Sequence, residues 1–308
     1  AVGPIHPETG LPVAPERFGF TSVFADEIRS LAAAREDIVG ITAAMMQPVG
    51  LGPMHEAFPG RVIDVGIAEA EAVTSAAGMA YEGAHPVVAL YATFLNRGFD
   101  QLLMDVALHR AGVTFVLDRA GITGSDGASH NGVWDIAMCS LIPGLRLAAP
   151  RDEDTLREEL REAISVDDAP TVLRYRKGAL PEPMPALRRV GDVDVLLDEE
   201  VAPCRARVLI VGTGACVPDA ITAARRLIDD GISVTVVDPR WLVPISPDLA
   251  SLALGFDAVI AVEDGIVQGG FGWALRDSLF DADIPVRCLG VPQVLPEHGD
   301  RSEMIRNF

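Results

Sequence analysis

The feature that most constrains this chain is a regular alternation of short apolar runs with amphipathic stretches, sustained along most of its length. The apolar runs are too short for helices and carry Val, Ile and Leu on successive positions, the pattern of strands buried on both faces. They fall at 38–41, 61–65, 87–90, 114–118 and 171–175. Helical periodicity fills 22–35, 67–81, 99–110 and 152–166, the last opened by acidic residues that suit the positive end of a helix. The alternation resumes with strands at 207–211, 233–237, 257–262 and 286–290 and helices at 215–230 and 270–280. Pro181, Pro183 and Pro185 interrupt the pattern between the two series, as a connection would. Strands alternating with helices imply parallel sheets covered on both faces. The expectation is α/β, with two open, mostly parallel-sheet domains. An extended leader occupies 1–17, a first domain 18–180, a linker 181–192 and a second domain 193–308.

The formal charge of −19 argues against nucleic acid and anionic membrane surfaces, which need a basic face. No apolar run is long enough to span a bilayer, and residues 1–20 lack the basic start and apolar stretch of a signal peptide. Cys139, Cys204, Cys216 and Cys288 are widely spaced, which fits reduced, buried thiols in a cytoplasmic protein and no zinc site or disulfide framework. Gly212 and Gly214 after a strand, with Asp238 ending the next, imitate a dinucleotide fingerprint. Val217 stands at the third glycine, however, and a structural turn is the better reading.

The informative segment runs from Asp64 to Gly178. It holds Asp64-Val-Gly-Ile-Ala-Glu69, Tyr91-Ala-Thr-Phe94-Leu-Asn-Arg97, Asp118-Arg119-Ala-Gly121, Ser125-Asp126-Gly-Ala-Ser-His130 and Arg174-Tyr-Arg176-Lys177-Gly178. Lys177 is the only lysine in the chain. Taken singly, Glu69 is an acid in the first turn of a helix, Tyr91 and Phe94 are core aromatics, and Arg97, Arg119 and His130 are loop polar residues. Taken in this order, with Asp238-Pro-Arg-Trp and Val262-Glu-Asp-Gly further on, the blocks resemble the 1-deoxy-D-xylulose-5-phosphate synthases of the transketolase superfamily. The resemblance covers essentially the whole chain. It identifies the expected domains as a transketolase pyrimidine-binding domain and a transketolase C-terminal domain.

That resemblance implies a transferase using thiamine diphosphate and Mg²⁺. Such enzymes decarboxylate pyruvate and add the two-carbon unit to an aldehyde such as glyceraldehyde 3-phosphate, a carboligation of isoprenoid biosynthesis. It implies that Glu69 hydrogen-bonds the pyrimidine ring nitrogen and that Tyr91 and Phe94 pack around that ring. Arg97, Arg119 and Lys177 are implied to face substrate carboxylate or phosphate, where an arginine fork makes paired charge-assisted bonds and a lysine acts as a point charge. His130 and Asp126 are implied to handle a substrate proton or hydroxyl. His298 is a weaker candidate at the mouth of the site, and His55, His85 and His109 read as structural.

Two departures stand out. Glu69-Ala70-Glu71 replaces the family's Glu-Gln-His, and Arg174-Tyr-Arg176-Lys177 replaces Arg-Tyr-Pro-Arg. The family's Gly-Asp-Gly turn with a following Asn, which holds the metal and diphosphate, has no counterpart here. Ser125-Asp126-Gly127 imitates it in another context. No metal ligand is therefore expected from this chain. The expected partner is a diphosphate-binding subunit, or an N-terminal domain of the same chain, in a homo- or hetero-oligomer acting on small molecules. A split subunit with a different acceptor, or a non-catalytic partner of a synthase, remain the competing expectations.

Overall fold

The computed structural model describes residues 19–308, so the expected leader at 1–17 lies outside the described residues. The chain opens with α1 (Gly19–Ala34), β1 (Ile38–Thr42), α2 (Gly52–Ala57), β2 (Val62–Asp64), α3 (Glu69–Tyr81) and β3 (His85–Tyr91). Next come α4 (Phe99–Gln101), β4 (Thr114–Asp118), α5 (Asp135–Cys139), β5 (Arg146–Ala148), α6 (Glu153–Ile164) and β6 (Thr171–Tyr175). After an irregular stretch follow β7 (Arg188–Val190), β8 (Val193–Glu199), β9 (Arg207–Gly212), α7 (Val217–Asp229), β10 (Ser233–Asp238) and β11 (Trp241–Val243). The chain closes with α8 (Pro247–Ala253), β12 (Ala258–Ile266), α9 (Phe271–Ser278), β13 (Val286–Val291) and α10 (Arg301–Asn307). No helix among the described residues is long and apolar enough to cross a membrane.

Two sheets result. The first has the order β11-β5-β6-β4-β3-β1-β2 and the second β13-β12-β9-β10-β8-β7. In the first, every pairing from β5 to β2 is parallel, and β11 joins β5 antiparallel. The second is parallel across β13-β12-β9-β10 and antiparallel at β8 and β7. Residues of β3, β4 and β6 alternate between two apolar layers. Val87, Ala89, Tyr91, Val116, Leu173 and Tyr175 pack towards α1, α2 and α6. Val88, Leu90, Phe115, Leu117 and Val172 belong to a layer that continues without a break through Leu209, Val211 and Val259 of the second sheet and Phe271 of α9.

The two halves are therefore joined more closely than a proline-rich linker suggests. Within 181–192, Arg188–Val190 is already a strand of the second sheet, while β11 returns to edge the first. Two buried ionic clusters cross the junction. Arg151 bonds Asp194 at 2.7 Å and Asp238 at 2.8 Å, and Arg174 bonds Asp135 at 2.7 Å and Asp264 at 2.6 Å. Asp238, the acid of the imitation dinucleotide motif, is fully buried by that contact and by the backbone N–H of Arg240 at 2.9 Å, so no ribose can meet it. Of the thiols expected to be buried, Cys139 is buried, Cys216 and Cys288 are partly buried and Cys204 is exposed.

The expected single helix at 99–110 is instead a short α segment that widens into a π-helix over Leu102–Ala107. Bonds from the N–H of Leu108 to the carbonyl of Leu103 (3.0 Å) and from Ala111 to Val106 (2.9 Å) carry the wide turn. The Asp105 carbonyl accepts the Tyr81 hydroxyl from α3, and the Asp105 carboxylate accepts Thr74 Oγ1 at 2.7 Å. A π-turn leaves a carbonyl to be satisfied from outside the helix, and α3 supplies that donor.

Candidate functional site

The site lies beyond the carboxyl ends of the first sheet's central strands, where open α/β sheets bind ligands. At the end of β2, Asp64 Oδ1 accepts the N–H of Ala44 at 2.7 Å and of Gly66 at 3.0 Å. Gly66 has φ +76, a turn glycine accommodates without strain. This turn aims the first residue of α3, Glu69, back across the sheet end. Glu69 is 4% exposed and its Oε1 lies 3.6 Å from a guanidinium nitrogen of Arg97. Gly98 lets the following 3₁₀ turn approach: a Cβ there would sit 2.8 Å from Val73 and 3.3 Å from the Glu69 carbonyl. Glu71 points away, exposed and bonded to Ser75 of its own helix at 2.9 Å.

From Glu69 the contacts run on without a gap. Arg97 lies over the Phe94 ring at 5.2 Å, and Phe94 stacks near-parallel on Tyr91 with centroids 6.0 Å apart. Arg119 lies over the other side of this shelf, 4.0 Å from the Tyr91 centroid. Arg119 Nε donates to Asp126 Oδ2 at 3.1 Å, and Lys177 donates to Asp126 Oδ1. The two cations hold the Asp126 carboxyl below its usual range, against the opposing pull of burial. His130 stands edge-on to both rings, 5.5 Å from Phe94 and 6.3 Å from Tyr91. All eight residues singled out in the sequence are thus brought into one cluster. Its shape is a partly open aromatic shelf with a buried carboxylate at one end and a cationic corner at the other. Such a shelf can take a flat heteroaromatic ring, with a carboxyl able to hydrogen-bond at one end and a corner suited to an anion at the other.

Several supporting residues carried no signal in the motifs. Asn131, fully buried, accepts from Thr123 N (2.9 Å), Thr123 Oγ1 (3.2 Å) and Gly124 N (3.4 Å) and donates to the Pro296 carbonyl at 3.1 Å. It ties the Asp126–His130 loop to the second half of the chain. Thr93 Oγ1 holds the same loop through the Ser129 carbonyl at 3.0 Å. His298 lies exposed, two residues from Pro296, with no hydrogen bond, ion pair or ring contact to the cluster of eight among the described residues. His85 is buried against Thr114 at 2.9 Å, and burial pushes its pKa down, which fits a structural role.

Asp118 was visible in a motif but not as a site residue. It ends β4 almost fully buried, and burial pushes its carboxyl up to about 6 against the pull of Thr21, Arg119 and Lys177. Glu263 is likewise pushed up to about 7 by burial, although its oxygens accept the N–H groups of Phe271 (3.0 Å) and Gly272 (2.9 Å) at the start of α9. Among the described residues no group of three or more His, Cys, Asp or Glu side chains is placed to hold a metal ion. Asp126, in the imitation of the metal turn, has both oxygens engaged by cations.

The family model described as transketolase, pyrimidine binding domain, matches residues 17–183, and that described as transketolase, C-terminal domain, matches 200–308. The chain is 54% identical over 309 residues to 1-deoxy-D-xylulose-5-phosphate synthase 2 of Streptomyces coelicolor, covering 99% of this chain and 48% of that protein. It is 55% identical over 307 residues to the synthase of Streptomyces griseus, again covering 99% and 48%. To the synthase of Corynebacterium glutamicum it is 52% identical over 312 residues, covering 100% and 49%. The chain therefore spans about half the length of the curated relatives it matches. A solved structure titled split gene transketolase, inactive beta4 tetramer, aligns with a TM-score of 0.78 at 29% identity, covering 89% of each chain.

Proposed function

The chain belongs to the transketolase family, and from that membership we propose that it forms the pyrimidine-binding half of a thiamine-diphosphate-dependent transferase of the 1-deoxy-D-xylulose-5-phosphate synthase type. The domain limits that go with this reading are 18–180 and 193–308, with 181–192 between them. The observation that carries it is the unbroken cluster from Glu69 through Arg97, Phe94, Tyr91, Arg119 and Asp126 to Lys177, with His130 edge-on to the rings. Bound thiamine diphosphate supplies the electron sink that lets a two-carbon unit leave pyruvate and join an aldehyde.

In this reading Glu69 shares its proton with the pyrimidine nitrogen. Its burial limits exchange of that proton with water. Tyr91 and Phe94 form the wall for the ring. Arg119 and Lys177 receive the acceptor's phosphate or the donor's carboxylate, and Asp126 neutralises them until an anion arrives. His130 exchanges a proton with a substrate oxygen. Arg97 screens the Glu69 carboxylate and lines the approach. Mg²⁺ and the cofactor's diphosphate are held by a diphosphate-binding domain or subunit. Support comes from the half-length match to the synthases and from the split-gene title of the similar structure. A cytoplasmic oligomer serving isoprenoid synthesis fits the same relatives.

A second reading, transfer to a different acceptor, is favoured by one observation. Arg176 is turned to the Ala179 carbonyl at 3.2 Å, which leaves Lys177 as the cation of its segment at the anion corner. The test is to combine the chain with a diphosphate-binding half and assay pyruvate with glyceraldehyde 3-phosphate. A ketose phosphate two carbons longer than the acceptor, formed only with both parts present, is expected. Absence of that product with full turnover of another aldehyde would select the second reading.

A further inference from the structure

We propose that Thr21, in the first turn of α1, is a positioning residue for Arg119 and acts through the buried carboxylate of Asp118. The proposal rests on the reading above that Arg119 receives a substrate anion. Arg119 sits just past β4 with φ +61, a left-handed conformation uncommon for a long side chain, which turns its guanidinium back over the Tyr91 ring. Its two carboxylate neighbours differ in kind. Asp126 belongs to the Asp126–His130 loop and is shared with Lys177. Asp118 belongs to the central strand, is 1% exposed, and places Oδ1 3.7 Å from Arg119.

One hydrogen bond orients that carboxylate from outside its own strand. Thr21 Oγ1 donates to Asp118 Oδ2 at 2.6 Å, while Oδ1 has no hydrogen-bond donor among the described residues. The first turn of α1 is itself held in place. Phe20 stacks on Tyr175 with centroids 5.6 Å apart, and Gly19 lies so close to Gly178 that a Cβ would meet its carbonyl oxygen at 2.3 Å. Tyr175 pairs with Asp118 in register and shares its sheet face. The groups that act on Asp118 are therefore Arg119 beyond β4, through both its guanidinium and its backbone N–H, Lys177 beyond β6, Tyr175 on β6, Tyr91 on β3 and Thr21 on α1. A carboxyl this deeply buried favours its neutral form, and a neutral acid no longer draws Arg119. The Thr21 hydroxyl works against that by stabilising the anion.

The test uses Thr21→Val, which removes the hydroxyl at nearly constant shape, and Thr21→Ser, which restores it. In the complete assembly Thr21→Val should raise KM for the anion-bearing substrate about three- to tenfold, the size of one net hydrogen bond, and leave kcat within about twofold. The acid limb of kcat/KM should move to higher pH, and Thr21→Ser should return both. In the 308-residue chain, the carboxyl carbon of Asp118, assigned by its loss in Asp118→Asn, should titrate at higher pH in Thr21→Val. Unchanged KM and acid limb, or a uniform loss that Thr21→Ser does not repair, overturns the proposal. So does an Asp118 titration indifferent to Thr21. A wild-type assembly that transfers no two-carbon unit would instead sink the parent reading, whatever the Asp118 titration shows, and the role of Arg119 would fall with it.

Discussion

Glu69 and Lys177 mark the two ends of the cluster and should fail in different ways. Glu69 is buried at a helix start, where one carboxyl can both satisfy backbone electrostatics and share a proton with a ligand. Glu69→Gln keeps the shape and removes the exchangeable proton. In the assembled enzyme, exchange of the cofactor's reactive ring proton into deuterium oxide should slow by about 10²–10⁴-fold with no change in thermal midpoint. Exchange at the wild-type rate would remove Glu69 from its role. Lys177 holds Asp126 together with Arg119. Lys177→Ala should raise KM for a phosphorylated acceptor by about tenfold, some 1.4 kcal/mol, while donor decarboxylation without acceptor continues. An equal loss in both measurements would assign Lys177 to the cofactor or to the fold.

At the level of elements, the Asp126–His130 loop and the Arg174 cluster decide whether the site exists at all. Asn131 is the buried hub of the loop, and Asn131→Ala would leave the N–H groups of Thr123 and Gly124 without their acceptor. A cost of about 2–3 kcal/mol is expected in urea unfolding, with faster proteolysis inside 123–131. Wild-type proteolysis would show that Thr93 and the cations on Asp126 hold the loop without Asn131. Arg174 joins β6, α5 and β12 through Asp135 and Asp264. Replacing it with Met strands two buried carboxylates, so Arg174→Met should lose about 3–5 kcal/mol. A loss below roughly 1 kcal/mol would mean that the two buried carboxylates are accommodated without Arg174.

For the whole molecule, two consequences follow from charge and from length. The pyrimidine end of the cofactor has partners here, but its diphosphate meets a strongly acidic chain whose described residues offer no metal cluster. Calorimetric titration of thiamine diphosphate and Mg²⁺ into the 308-residue chain should therefore give no micromolar binding, whereas the complete assembly should bind. Micromolar binding to the chain alone would reveal a diphosphate site elsewhere in it. The second consequence concerns pH. Asp118 and Glu263 have folded pKa values raised to about 6 and about 7, above their unfolded values. Between roughly pH 4 and pH 7 the folded state thus holds protons that the unfolded state releases, so these two groups reduce stability as pH rises through that window. The Asp118 share is on the order of 2–3 kcal/mol. Asp118→Asn should flatten the fall in unfolding free energy between about pH 4 and pH 6, and an unchanged slope there would refute the assignment.

The strand and helix periods were legible because they are local. A buried parallel strand must be apolar on both faces, and 114–118 and 171–175 read as β4 and β6 to the residue. The contiguous blocks likewise named all eight residues of the cluster, since each block is one strand end and its loop. The sequence alone thereby determined the fold class and pointed to the residues that meet in the cluster. What it could not show depends on neighbours far along the chain. β11 edges the first sheet only because the second half folds back on it. The π-turn at Leu102–Ala107 is stabilised by Tyr81 from another helix. Asn131 becomes a hub only when Pro296 reaches it. Asp118 meets the hydroxyl that stabilises its anion only when Thr21, 97 positions earlier, packs against it. Local pattern sets which face of each element is apolar, but tertiary structure decides which polar group meets which, because burial and partner distance exist only once the chain has closed on itself.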